Sequence, residues 1–200
     1  MSPEASSKQP LLGDAMAREG EAYRMLLEGE EEGAREPLRE AAWLYRRSWE
    51  EEAGPRSFGR LVGMLKAAVL AGEGGEEARY VRAQLREEPD SATAWYALAL
   101  AALLEGDDEL ARRAAAGMRE GSNAFAQTAD AIEALADREG DRYADALRAI
   151  VADFEARDEH LTGVPIADTA LVLERIAAER GMAAEPDSPL LPRARSGSDD

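Results

Sequence analysis

The chain has 200 residues, 45% of them hydrophobic, and a formal net charge of −17. That length suits a single domain with short tails, and that apolar content is enough for a sizeable core. The charge weighs against nucleic acid and anionic membrane surfaces, which Lys and Arg bind by neutralising phosphates, and the lack of cysteine excludes disulfides, thiolate metal sites and cysteine nucleophiles.

Ala, Leu, Glu and Arg dominate, all strong helix formers. No run shows the period-2 alternation of a half-buried strand. The protein is therefore predicted to be all-α. The start, MSPEASSKQP, has no basic segment followed by an apolar one, so it does not read as a signal peptide. Residues 1–10 and 193–200 read as disordered tails around one helical domain at 11–192. The longest apolar run, Ala94 to Leu104, is too short for a bilayer span, which takes about 20 residues. A cytoplasmic location is expected.

In chain order, the first pair of helices is placed near 12–28 and 34–52, joined by EGEEEGAREP at 28–37. The second pair is placed near 56–71 and 76–88, around AGEGGEEARY at 71–80. The third occupies 91–105 and 108–120, around EGDDELARRA at 105–114. The fourth occupies 123–138 and 141–158, around EGDRYADALR at 139–148. Each junction pairs a glycine with acidic residues. Glycine ends a helix cheaply in the left-handed conformation, and an aspartate next to it caps the following one. Carboxylates in the first turn also favour the positive end of the helix dipole. Gly72, Gly106 and Gly140 are spaced by 34 residues, the period of stacked helical hairpins. The first unit is longer, and its excess is assigned to 49–56.

The third unit places Trp95, Leu98, Ala99, Gly106, Ala111 and Ala115 on a large–Leu–small–Gly–small–small pattern. The first unit places Gly29, Ala34, Leu38 and Ala41 on it. In this, residues 12–158 resemble the tetratricopeptide repeat, which implies a tetratricopeptide-like stack of about four hairpins. A further helix near 165–181 has apolar residues over more than half of its circumference, so it is expected to pack on two sides and close the end of the stack. Leu190 and Leu191 are read as an extended clip along the last hairpin.

Little in the sequence suggests catalysis. His160 is the single histidine, in a loop, and reads as a capping or surface residue. Neither Glu-x-x-His nor His-x-x-x-His spacing occurs, and there is no GxSxG. The GlyGluGlyGly at 72–75 lacks both the preceding strand and the following Lys of a phosphate loop. No enzyme activity, cofactor or metal site is expected. Trp43, Tyr45, Trp49, Trp95 and Tyr96 are candidates for lining a groove on the concave side.

The strongest site candidate is acidic. Turns from first to second helix align along one edge of such a stack, and each holds more carboxylates than capping needs. The partner-binding candidates are Glu30, Glu31, Glu32, Glu73, Glu76, Glu77, Asp107, Asp108, Glu109 and Glu139. A negative edge steers a basic partner. Residues 168–192 also resemble the C-terminal part of the bacterial toxin-immunity protein family 49, in an apolar helix, an ArgGly stop and a Ser-x-x-x-Pro ending. That resemblance implies a non-enzymatic protein that neutralises a cognate, basic toxin. The alternative is a general scaffold that binds peptides in its concave groove.

Overall fold

The computed structural model describes residues 10–85 and 89–192. The described residues are helical, with no strand among them. The helices are α1 (Pro10–Leu27), α2 (Glu31–Glu52), α3 (Gly59–Leu70), α4 (Gly75–Gln84), α5 (Ala92–Glu105), α6 (Asp108–Met118), α7 (Asn123–Asp137), α8 (Gly140–Glu155) and α9 (Asp168–Glu179). The tails at 1–9 and 193–200, and the end of the helix expected at 76–88, lie outside the described residues.

The hairpin turns follow from the junction sequences. Gly106 ends α5 in the left-handed region, at φ 74°. Asp107 then accepts a hydrogen bond from Leu110 N and starts α6. Gly29 and Gly72 take the same left-handed conformation. Gly140 does not. Arg138 adopts φ 61° instead, and Gly140 becomes the first residue of α8. The 34-residue glycine period thus marks two equivalent stops and a third junction built differently.

Each helix packs against the next, and α3, α5 and α7 also lie side by side. The middle helix of these, α5, is buried on nearly every face: Ala94 and the run Tyr96–Leu103 are inaccessible or nearly so. Burying a Leu or Ile side chain contributes about 1.5–3 kcal/mol, so this helix anchors the core. Two interior glycines permit close approaches. At Gly117 a Cβ would lie 2.5 Å from the Trp95 indole, which leaves Trp95 only half-buried beside it. At Gly63 a Cβ would lie 2.7 Å from the Tyr45 ring.

The ninth helix does not pack on the last hairpin alone. It contacts α7 and α8 of the last hairpin, and it also reaches back to α3. Its apolar residues Leu171, Val172, Leu173 and Ile176 are buried there. The segment expected as an extended clip is a turn at Leu190 and Leu191, closed by Leu191 N donating to Ser188 O; it is anchored by Ala167 N donating to Leu190 O, by Ser188 Oγ donating to Glu155 Oε1 on α8, and by the buried Leu191.

Gly63→Ala tests the close approach. Alanine gains about 1 kcal/mol in helix propensity, but the Tyr45 ring must move. The expected net loss is about 1–3 kcal/mol in urea denaturation. A variant as stable as the wild type would show that Tyr45 is not fixed by this contact.

Candidate functional site

The side of α9 that faces α1 and α3 leaves part of the inner face open. The resulting cleft has a volume of about 530 Å³. Its wall is built from α1 (Leu12, Met16, Glu19), α3 (Gly59, Arg60, Val62), α7 (Ala124, Phe125, Gln127) and the 160–169 segment. This size and an apolar wall with a few polar groups are typical of ligand sites.

A buried ionic cluster forms one side. Lys66 of α3 donates to Asp168 Oδ2 at 2.7 Å and to Thr169 Oγ1 at 3.1 Å. On the neighbouring helices, Tyr23 and Tyr45 donate to the two oxygens of Glu19, at 2.8 and 2.7 Å. The Tyr23 hydroxyl also lies 3.4 Å from Asp168 Oδ2 and links the two halves. Two carboxyl groups thus share one ammonium inside the protein. Burial, and next the charge of Asp168, push the Glu19 pKa up from 4.5 to about 7, against the opposing hydrogen bonds of Tyr45 and Tyr23 and the charge of Lys66. Burial is the largest single influence and would lower the pKa of Lys66, but Asp168, Tyr96 and Glu19 together outweigh it and hold the ammonium above its ordinary value. Burial and the Glu19 charge raise both tyrosines, which stay donors.

Four buried side-chain atoms among the described residues make no hydrogen bond of normal geometry: Arg60 Nη1, Tyr96 Oη, Gln127 Oε1 and His160 Nδ1. All four residues line this one cleft. Buried polar groups are ordinarily paired, because an unpaired one costs about 1–3 kcal/mol. Arg60 is the most severe case. It is 4% exposed, and its nearest carboxylate, Glu52, stands 4.0 Å from Nη2. Glu52 is already engaged by Leu11 N and Ser48 Oγ.

His160, read from sequence as a capping or surface residue, is half-buried in the cleft wall and stacks on Phe154 at 6.3 Å between centroids. Of the five aromatics proposed to line a groove, Tyr45 and Tyr96 do so. Trp43 is exposed on α2, Trp49 packs on Phe58, and Trp95 rests on Gly117. Sequence reasoning missed Glu19, Arg60 and Asp168. One signal was present: Lys66, one of two lysines, interrupts the apolar run of α3.

The acidic candidates do lie at the hairpin turns, and most are paired. Glu73 and Glu76 receive Arg39 and Arg46 of α2 at 2.7 and 3.2 Å. Asp107 receives Arg82 of α4 at 3.0 Å. Glu31 receives Arg175 of α9 at 2.7 Å. Asp108 receives Arg180 at 2.7 Å, and the same guanidinium donates to Leu103 O at the end of α5. Glu32 and Glu139 pair with Arg35 and Arg142 in their own helices. Much of the surplus acid thus receives arginines, several of them from neighbouring hairpins. Glu30, Glu77 and Glu109 have no ion pair among the described residues. No group of three His, Asp or Glu side chains suited to a metal ion occurs among the described residues, and no helix there is long and apolar enough to cross a membrane.

No protein-family model, no curated protein and no solved structure matches this chain.

The ionic cluster sets a pH dependence. Glu19 has a folded pKa above its ordinary value, so the folded state holds that proton more tightly than the unfolded chain does. Its contribution is fully present below pH 4.5 and is lost as pH rises through about 7. From pH 6 to pH 8 this term amounts to about 1 kcal/mol. Glu19→Gln is expected to remove that slope from the stability profile and to gain on the wild type at pH 8. Parallel profiles for the two proteins in urea melts would contradict the assignment.

Proposed function

We propose that this chain is a non-enzymatic binding protein whose ligand lies in the cleft, on the concave face of a tetratricopeptide-like stack. The observation that carries this reading is one cavity whose lining residues Arg60, Gln127 and His160 each hold a buried side-chain atom without a hydrogen bond. An apolar wall supplies affinity, and a few convergent polar groups supply orientation. The side-by-side packing of α3, α5 and α7 supports the tetratricopeptide-like description. A peptide segment is one occupant of such a groove, as in a general scaffold.

A second reading keeps a protein partner at the acidic edge, as an immunity protein neutralising a basic toxin domain. Glu30, Glu77 and Glu109 favour it, since they have no ion pair among the described residues and stand beside three hairpin turns. The ladder of paired carboxylates weighs against it, because arginines already neutralise much of that edge.

Ligand-observed NMR with mixed small-molecule and peptide libraries separates the two. Wild-type hits are expected to weaken by about tenfold or more in Ala124→Trp, which fills the cleft. They are expected to persist in the triple variant Glu30→Lys, Glu77→Lys, Glu109→Lys. The reverse pattern moves the site to the edge. A complete absence of hits defeats the cleft reading.

A further inference from the structure

The charges along the cleft specify its ligand more closely. Three cations line it: Arg60, Lys66 and Arg157. Lys66 holds Asp168 at 2.7 Å, and Arg157 Nε holds Asp153 at 3.1 Å while its guanidinium covers Phe154. Arg60 is held more loosely than the other two, with Glu52 4.0 Å from Nη2. A guanidinium carries five donors in a planar fork suited to a carboxylate. Here Nη1 makes no hydrogen bond and the side chain is almost wholly out of water. The start of α3 adds no donors of its own, because Arg60 N donates to Ser57 O, and Leu61 N and Val62 N donate to Phe58 O.

The same wall limits the anion's charge. Asp153, Asp168 and Glu19 face the cavity as well. They would repel a dianion, as would the net charge of −17. Part of the remaining wall is apolar: Leu12, Met16, Val62, Phe125 and Ile150. At the mouth, Leu161 is 78% exposed, an apolar side chain without cover.

We propose that the cleft binds an apolar monocarboxylic acid, with its carboxylate on the Arg60 guanidinium and its hydrocarbon body along Leu12, Met16, Val62 and Phe125. This rests on the cleft reading above and names the ligand class. Binding is non-covalent, and the ligand leaves unchanged.

The probe is decanoate, used below its micelle concentration and titrated calorimetrically into the wild-type full chain. Charge-assisted hydrogen bonds to a buried guanidinium outweigh neutral ones, so decanoate is expected to bind about tenfold or more tighter than decanol. Decyl phosphate, at a pH where it is a dianion, is expected to bind more weakly than decanoate. Arg60→Gln is expected to abolish the preference of decanoate over decanol, and Ala124→Trp to abolish binding of both. The comparison of the two probes on the wild type stands even if Arg60→Gln fails to fold. Equal binding of decanoate and decanol overturns the proposal, as does undiminished decanoate binding by Ala124→Trp. If decanoate fails while library hits still disappear in Ala124→Trp, this inference falls and the cleft reading survives. A peptide that binds in the cleft with higher affinity than decanoate, and equally well as acid or amide, also overturns the assignment.

Discussion

The arrangement depends on one buried charge. Lys66 interrupts the apolar run of α3, and an ammonium cannot stay in such a place unpaired. Asp168 and Thr169, at the first turn of α9, supply its partners. Removing one partner of a buried pair typically costs about 3–5 kcal/mol, because the other is left uncompensated. This constraint fixes where α9 starts on the inner face of the hairpins. Its far end is fixed by Arg180, which donates to Asp108 and to Leu103 O of α5. Between these points Glu174 accepts from Tyr143 and from Ala184 N, so the chain beyond α9 is tied to α8 as well. Pinned this way, the helix packs on α3, α7 and α8 and borders the cleft.

The second carboxylate explains the cluster's electrostatics. Glu19 faces the same ammonium from α1, yet Lys66 balances only one negative charge. Glu19 therefore takes the hydroxyl donors Tyr23 and Tyr45, and its pKa rises toward neutrality. Gly63 is part of this arrangement, since only a residue without Cβ lets the Tyr45 ring lie against α3. On the outer surface the opposite regime holds. Arg39, Arg46, Arg82 and Arg112 reach from second helices to acids at the next hairpin turn. These exposed pairs each contribute little, about 0–1 kcal/mol. Together they give the surplus carboxylates a role in aligning neighbouring hairpins.

Much of the fold was legible because local signals agree with it. The glycine–acid junctions mark helix ends, and the stripe Tyr143, Leu147, Ile150, Val151, Phe154 marks the buried face of α8. All nine helices fall where the pattern places them, with shifts of a few residues at the ends, as befits frayed boundaries. The course of α9 was not legible. An apolar helix reads the same whether it caps a stack or lies across its inner face, and the Lys66–Asp168 pair that decides the matter spans 102 residues of sequence. The cleft was hidden for the same reason. Arg60, Gln127 and His160 are ordinary polar residues in isolation, and only the packing deprives them of partners. The acidic turns had the opposite fault. Their excess was plain in the sequence, but the arginines that meet it lie 25 to 34 residues earlier for Arg82 and Arg39, beyond the reach of a local pattern.

The most direct test of the central claim is amide hydrogen exchange in Asp168→Asn, which keeps the shape of the side chain and removes its charge. If the Lys66–Asp168 pair holds α9 on the inner face, the amides of α9 should lose about tenfold or more protection relative to those of α5, by local opening of that helix. Equal protection of α9 and α5 in this variant, unchanged from the wild type, would contradict the claim that this pair positions the helix and shapes the cleft.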